Sequence, residues 1–444
     1  VPDHAPGRQG TKGDDLGHID FNDKKVMESI GTGKDDGVFQ LESGGMKSFM
    51  KELKPESLED IIAGISLYRP GPMDFIPKYL KGKNDPAAIT YTCPQLEHIL
   101  KPTYGCIVYQ EQVMQIVRDL AGYTLGRSDL VRRAMSKKKA DVMARERKNF
   151  VYGNEEEGVK GCAANGIDEK TANQIFDDMT DFAKYAFNKS HAAAYAVVAY
   201  QTAYLKYYYP REFMAALMTS IMDNVTKVSE YILACRNMGI GILPPDINEG
   251  VSGFSVSGNS IRYGLSAIKS VGRAVVDVII SERETGGPFS TLEDFVSRMS
   301  NREVNKRTLE SFIKSGSLDS LPGTRKQKLY VSSELLENKA REKKTVMEGQ
   351  MSFFDIAPEE DKGNFQVSFP DVGEFDKETL LAFEKETLGI YVSGHPMEAY
   401  QELWQKNVTA RTSDFIVDED GHTVVEDNSI VVGGGMITAK KLKT

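Results

Sequence analysis

Arg132 and Arg133 are followed about one helical turn later by Lys137, Lys138 and Lys139, all within LVRRAMSKKKADVMARERK. Residues three to four apart share a helix face, so Arg133 and Lys137 could clamp one anion between them. The competing reading is a solvated basic face. A second cluster, NKSHAAAYAVVAYQTAYLKYYY, opens with Asn188, Lys189, Ser190 and His191 and continues as a helix apolar on nearly every side. Such a helix must be buried. Asn188 or Ser190 can cap it, and the free N–H groups of its first turn attract an anion, helped by Lys189 and His191. Ala192, Ala193, Ala194 and Ala196 would let another backbone or a ligand approach closely; otherwise they are helix filler beside a surface imidazole. In YRPGP, Pro70 and Gly71 favour a type II turn. That turn would hold Arg69 at the fixed angle that suits bidentate phosphate recognition.

These groups need elements to carry them. A chain of 444 residues exceeds one ordinary core and implies several domains. Forty per cent hydrophobic and 27% charged residues fit a folded globular protein. The net charge is 55 − 64 = −9, which leaves room for a local basic surface that binds nucleic acid. Cys93, Cys106, Cys162 and Cys235 are scattered, without CxxC spacing, which argues against structural zinc or a disulfide framework and suits the cytoplasm. No apolar run reaches membrane-spanning length, so no membrane partner is expected.

The spacing of apolar residues predicts a mainly α fold. Residues 1–23 read as a polar linker and 24–250 as a large helical domain. Residues 251–325 form a compact segment containing a short β-hairpin at Gly258-Asn259. A charged helix and polar linker fill 326–370, a helical connector and hairpin 371–425, and a β pattern 426–444.

Two motifs are rejected. GTGKDD (Gly31 to Asp36) lacks both the spacing and the preceding strand of a P-loop. Asp418 and Asp420 lie in VDEDGHTVV, where Asp-Gly between alternating apolar residues signals a hairpin turn. Asp20 and Asp23 have neither the spacing nor the strand that a metal-binding carboxylate pair needs. No catalytic or metal-ligating residue is therefore expected in this chain.

YGLSAIKSVGRAVVDVIISER reads as a short helix, a tight turn at Ser270-Val271-Gly272 and a second helix, and it resembles a helix-hairpin-helix motif. In that motif the hairpin amides hold a DNA phosphate without reading bases. Lys269 and Arg273 flank the turn, and Ser270 stands where the first hairpin glycine is usual. TLESFIKSGSLDSL looks like a degenerate second copy used for packing. In EGQMSFFDIAPEED, Gln350, Met351, Ser352, Phe353 and Phe354 sit in a segment otherwise too polar to fold. Bulky apolar residues there need a pocket on a partner.

Taken in order, GVFQLES, YRPGP, YGCIVYQEQVMQI, GYTLGRSDLVRRAMSKKK and FNKSHAAAYA resemble the fingers domain of the bacterial replicative polymerases of the polymerase III alpha-subunit family. The resemblance runs from about residue 20 to the C-terminus. Lys184 and Ala186 depart from it, standing where glycines are expected. It implies that Arg69, Arg132, Arg133, Lys137, Asn188, Lys189, Ser190 and His191 grip an incoming deoxynucleoside triphosphate. Lys138, Lys139, Lys269, Ser270, Val271, Gly272 and Arg273 are implied along template-primer DNA. Residues Gln350 to Phe354 are similar to the peptide by which such polymerases bind the beta sliding clamp, and further holoenzyme subunits are implied partners. Mg2+ would be held by palm carboxylates, which are absent here, so this chain alone is expected to be inactive. The final β pattern is expected to begin an OB-like barrel. The alternatives are a non-catalytic DNA-binding scaffold and a stand-alone nucleotide-binding enzyme.

Overall fold

Seven residues beginning at Lys24 form the first helix because Asp23 caps it, its carboxylate accepting the Lys25 N–H at 2.9 Å. The computed structural model describes residues 16–137, 140–183, 187–299, 304–347, 368–410 and 431–433. Lys138, Lys139, Gln350, Met351, Ser352, Phe353 and Phe354, the hairpin at Asp418 and Asp420 and most of the expected barrel segment lie outside the described residues. The chain divides into two compact units, Val1–Phe213 and Met214–Thr444.

The first unit holds α1 (Lys24–Ile30), α2 (Gly44–Leu53), α3 (Leu58–Leu67), α4 (Ile76–Asn84), α5 (Glu97–Leu100), α6 (Gln110–Ala121), α7 (Leu125–Ser136), α8 (Ala140–Tyr152), α9 (Glu169–Ala183) and α10 (Lys189–Tyr208). Ser43 and Ser57 cap α2 and α3 through side-chain bonds to the N–H groups of Met46 and Asp60. One core gathers α1, α2 and α3 around α10. Ala192, Ala196, Ala199 and Ala203 are buried at helical spacing, and their small side chains allow α10 to lie close against α3. Of the four alanines expected to allow a close approach, Ala192 and Ala196 are buried, whereas Ala193 is half-buried and Ala194 exposed. Tyr200 and Tyr208 tie α10 to the chain before α1, donating to the Asp20 carbonyl and the Asp23 carboxylate at 2.7 and 2.6 Å. Asp20 and Asp23 therefore do structural work.

A second core in this unit joins α6, α7, α8 and α9. Phe150 and Phe176 pack inside it at 5.6 Å, and truncating either to alanine costs about 3–5 kcal/mol. A partly buried polar cluster pins α7 to α8: the Arg127 guanidinium donates to both Glu146 oxygens at 3.0 and 3.1 Å and also to Glu157. Tyr123 adds a hydroxyl donor to Glu146 at 3.1 Å. The loop Gly31 to Asp36 follows α1, not a strand, and its Lys34 and Asp36 carbonyls accept Lys206 Nζ. This agrees with rejecting a P-loop.

α11 (Pro210–Ser220) crosses the boundary between the units. The second unit continues with α12 (Val225–Asn237), β1 (Gly241–Leu243), β2 (Ser255–Ser257), β3 (Ser260–Arg262), α13 (Arg273–Gly286), α14 (Leu292–Arg298), α15 (Lys306–Lys314), α16 (Arg325–Met347), α17 (Lys377–Leu388) and α18 (Gln401–Asn407). β2 and β3 form the expected hairpin, with positive φ at Gly258 as its two-residue turn requires. β1 pairs parallel to β3; its three residues before a proline pair are too few to show alternation. Phe289, Phe295 and Phe312 stack edge to face at 5.1 and 5.9 Å in the core of this unit. The charged helix α16 is partly internal: Lys328 is fully buried and donates to the Leu318 and Leu321 carbonyls at 2.8 Å. That turn, in the degenerate second copy, thus serves packing.

Candidate functional site

Gln112 fixes the start of α6. Its side-chain oxygen accepts the N–H groups of Val108 and Tyr109 at 2.8 and 3.0 Å, and its amide donates to Ile99 and Thr103. Tyr109 then lies beside Phe187 in a parallel bridge, and the Gln110 N–H donates to the Phe187 carbonyl at 3.0 Å. Segments far apart in the chain therefore meet at one edge of the first unit.

YRPGP reaches this edge through Arg69, whose guanidinium lies 3.7 Å above the centre of the Phe187 ring. Gly71 has the positive φ expected, at 101°, but its ψ is −69°. A type II turn would be closed by the N–H of the fourth residue, and that residue is Pro72, which has none. The bond forms one residue later, from Met73 N–H to the Arg69 carbonyl at 3.1 Å. The type II expectation is corrected accordingly.

Asn188, not Ser190, caps α10; its side chain accepts the His191 N–H at 2.9 Å. Ser190 is exposed. His191 packs against Phe187 at 5.3 Å and Tyr195 at 4.4 Å. The Lys189 N–H is already engaged, donating to both oxygens of Glu111 at 3.1 Å, and Asn188 Nδ2 donates to Glu111 at 3.0 Å. A carboxylate is well placed at a helix N-terminus. The Lys189 ammonium pairs with Glu59 at 2.9 Å and lies 5.2 Å from the Tyr109 ring.

α7 ends at Ser136 and α8 starts at Ala140, as the pattern SKKKADV suggests. Arg132 donates to Gln110 Oε1 at 2.8 Å and to Asp129 at 2.7 and 2.9 Å. Arg133 is 62% exposed and pairs with the other Asp129 oxygen at 2.7 Å. The hydrogen bond from Arg132 holds the Asp129 carboxyl below the usual range. Lys137 is exposed just beyond the helix end, its N–H on the Arg133 carbonyl.

The contacts Arg69–Phe187, Phe187–Gln110 and Gln110–Arg132 form one continuous chain, with Asn188, Lys189 and His191 beside it. GVFQLES joins from the flank: Phe39 packs on Tyr195 at 5.2 Å, and its N–H donates to Thr202 on α10 at 3.1 Å. Such an edge presents several cations on rigid elements, a chemistry suited to a polyanion. The residues not singled out from sequence are Gln110, Glu111 and Asp129. Their signal was a run of polar side chains inside a quoted motif, with no sign of where their partners lay.

In the second unit, the expected short helix before the turn is a single 3-10 turn, Leu265–Ala267. Ser270 adopts φ 70°, the left-handed geometry that glycine takes without cost. Gly272 stands at the N-cap of α13 and offers no side-chain cap, and Val271 N–H bonds the Ile268 carbonyl at 3.1 Å. Lys269 N–H donates to the Thr387 carbonyl on α17 at 2.8 Å, which braces the turn from behind. Arg273 opens α13. Among the described residues no group of three or more His, Cys, Asp or Glu could hold a metal ion. No helix among them is long and apolar enough to cross a membrane.

Comparison with known proteins places these segments in a wider context. Residues 7–158 match the family described as bacterial DNA polymerase III alpha subunit finger domain, and residues 239–328 match a helix-hairpin-helix motif. A DNA polymerase III subunit alpha of Borreliella burgdorferi is 44% identical over 87% of this chain and 33% of its own length. That of Thermus aquaticus is 45% identical over 88% and 31%, and that of Vibrio cholerae 40% identical over 96% and 36%. The chain thus spans about a third of the length of these relatives.

Proposed function

We propose, from the premise that the chain belongs to the family of bacterial DNA polymerase III alpha subunits, that it serves DNA-templated DNA synthesis by gripping the incoming deoxynucleoside triphosphate and guiding template-primer DNA. The observation that carries this reading is the chain of contacts from Arg69 through Phe187 and Gln110 to Arg132. It gathers motifs remote in sequence onto one cationic edge. Arg69, Arg132, Arg133, Lys137 and the Asn188–His191 turn are the triphosphate candidates.

Binding there would involve exchange of partners. Asp129 pairs with both Arg132 and Arg133, and Glu59 pairs with Lys189. A triphosphate carries more charge than any of these carboxylates and can accept from several donors at once. It would thus compete for the guanidinium groups while the helices that carry them stay in place. Two-metal nucleotidyl transfer uses Mg2+ held by carboxylates. In this reading the residues named above bind and orient the nucleotide, and no catalytic or metal-binding role is proposed for them.

Lys269 and Arg273, with the hairpin amides of Ser270 and Gly272, are assigned to a DNA phosphate, Val271 to closing the turn through its N–H on the Ile268 carbonyl, and Lys138 and Lys139 to the duplex path. Gln350 to Phe354 are assigned to the beta sliding clamp, supported by their similarity to the clamp-binding peptide of such polymerases. Other holoenzyme subunits are the proposed further partners and the bacterial cytoplasm the proposed location, by analogy with the family. Nucleotide kinetics of arginine variants test the central part of this reading.

A further inference from the structure

We infer that Gln110 and Glu111 are positioning residues, which set Arg132 and the first turn of α10 in register with each other so that a triphosphate meets both; this rests on the function proposed above. Three consecutive side chains at the start of α6 reach in three directions. Gln112 turns back and locks the backbone before the helix. Glu111 reaches the start of α10, 77 residues away in sequence, through Asn188 Nδ2 and the Lys189 N–H. Gln110 reaches α7 and accepts from Arg132.

The partners differ in what they can fix. Asp129 lies on the same helix as Arg132, so their pair orients the guanidinium only relative to α7. The Gln110 bond crosses from α6 to α7, and the Gln110 N–H bond crosses to Phe187 beside α10. One residue therefore relates both phosphate-facing elements to a common origin. Glu111 is a carboxylate within a cationic edge, where a negative charge would repel a triphosphate. Both its oxygens are instead taken up by donors at the α10 N-terminus, which is where a helix favours a negative charge. Its work is directed at the helix, and it does not face the ligand as a free charge.

The test is nucleotide-dependent DNA synthesis by an alpha subunit that carries this chain, at saturating primed DNA. Gln110→Ala and Glu111→Ala should each raise the nucleotide KM roughly tenfold, as loss of a hydrogen bond to a charged partner would, with kcat changed less. Glu111→Gln keeps one acceptor oxygen and should recover most of that loss. Gln110→Met keeps the length and removes the acceptor, and is the variant to read where alanine lowers Tm. In an Arg132→Ala background, Gln110→Ala should add nothing, because it acts through Arg132. A KM that falls or stays at wild type in the Glu111 variants, or a Gln110 effect that adds in full to that of Arg132→Ala, overturns the inference. An Arg132→Ala enzyme with unchanged KM overturns the triphosphate reading instead.

Discussion

The guanidinium of Arg69 rests on the face of Phe187, 3.7 Å from the ring centre, and so joins the YRPGP turn to the residue that leads into α10. The site is exposed, where such a contact contributes about 0.5–1 kcal/mol. Phe187→Leu keeps the backbone bond to Gln110 and removes only the aromatic face. The nucleotide KM should rise about two- to fivefold, measured by initial rates against nucleotide concentration.

Asp35 is buried, with its Oδ2 atom lacking a partner, and burial raises its pKa from 3.8 to about 7 against the opposing pull of Lys206 and Lys47. The folded chain then keeps a proton that the unfolded chain loses between these two values. Stability contributed by this group falls as pH rises through that window and levels off above it. Asp35→Asn cannot titrate, so the difference between variant and wild type in urea midpoint should grow in the variant's favour from pH 5 to pH 8. A constant difference would refute the assignment.

Ser270 holds a left-handed backbone conformation that costs an L-residue about 1 kcal/mol. Ser270→Gly should stabilise the chain by roughly 0.5–1 kcal/mol in urea unfolding. DNA affinity should be unchanged, because the proposed phosphate contact uses backbone amides. Ser270→Val should do the reverse to stability.

Phe353 and Phe354 supply the bulky apolar groups of the proposed clamp peptide. Changing both to alanine should weaken binding to the sliding clamp by at least about a hundredfold, since buried aromatic anchors dominate such interfaces. Affinity for primed DNA should be retained. Surface plasmon resonance against immobilised clamp would read this directly, and wild-type affinity would remove the motif from consideration.

Much of this arrangement could be read before the structure, where the signal was local. Asn188 before an apolar helix marks a cap, Gly258-Asn259 between alternating residues marks a hairpin, and a usual glycine position flagged Ser270. What could not be read depends on partners distant in sequence. Glu111 looks like any surface carboxylate until Asn188 and Lys189 arrive beside it. Lys328 looks solvated until the Leu318 and Leu321 carbonyls surround its ammonium. Pro72 shows the intermediate case: its missing N–H was visible in the sequence and already ruled out the closing bond of a type II turn.

The proposed nucleotide grip requires that Arg132 and Arg133 hold the triphosphate. The measurement is the nucleotide KM and kcat of an alpha subunit carrying Arg132→Ala and Arg133→Ala, with the dissociation constant for primed DNA determined in parallel. The expected result is a KM raised or a kcat lowered by at least about tenfold, as loss of charge-assisted bonds to phosphate requires, with DNA binding little changed. Wild-type values of both kinetic parameters would contradict it.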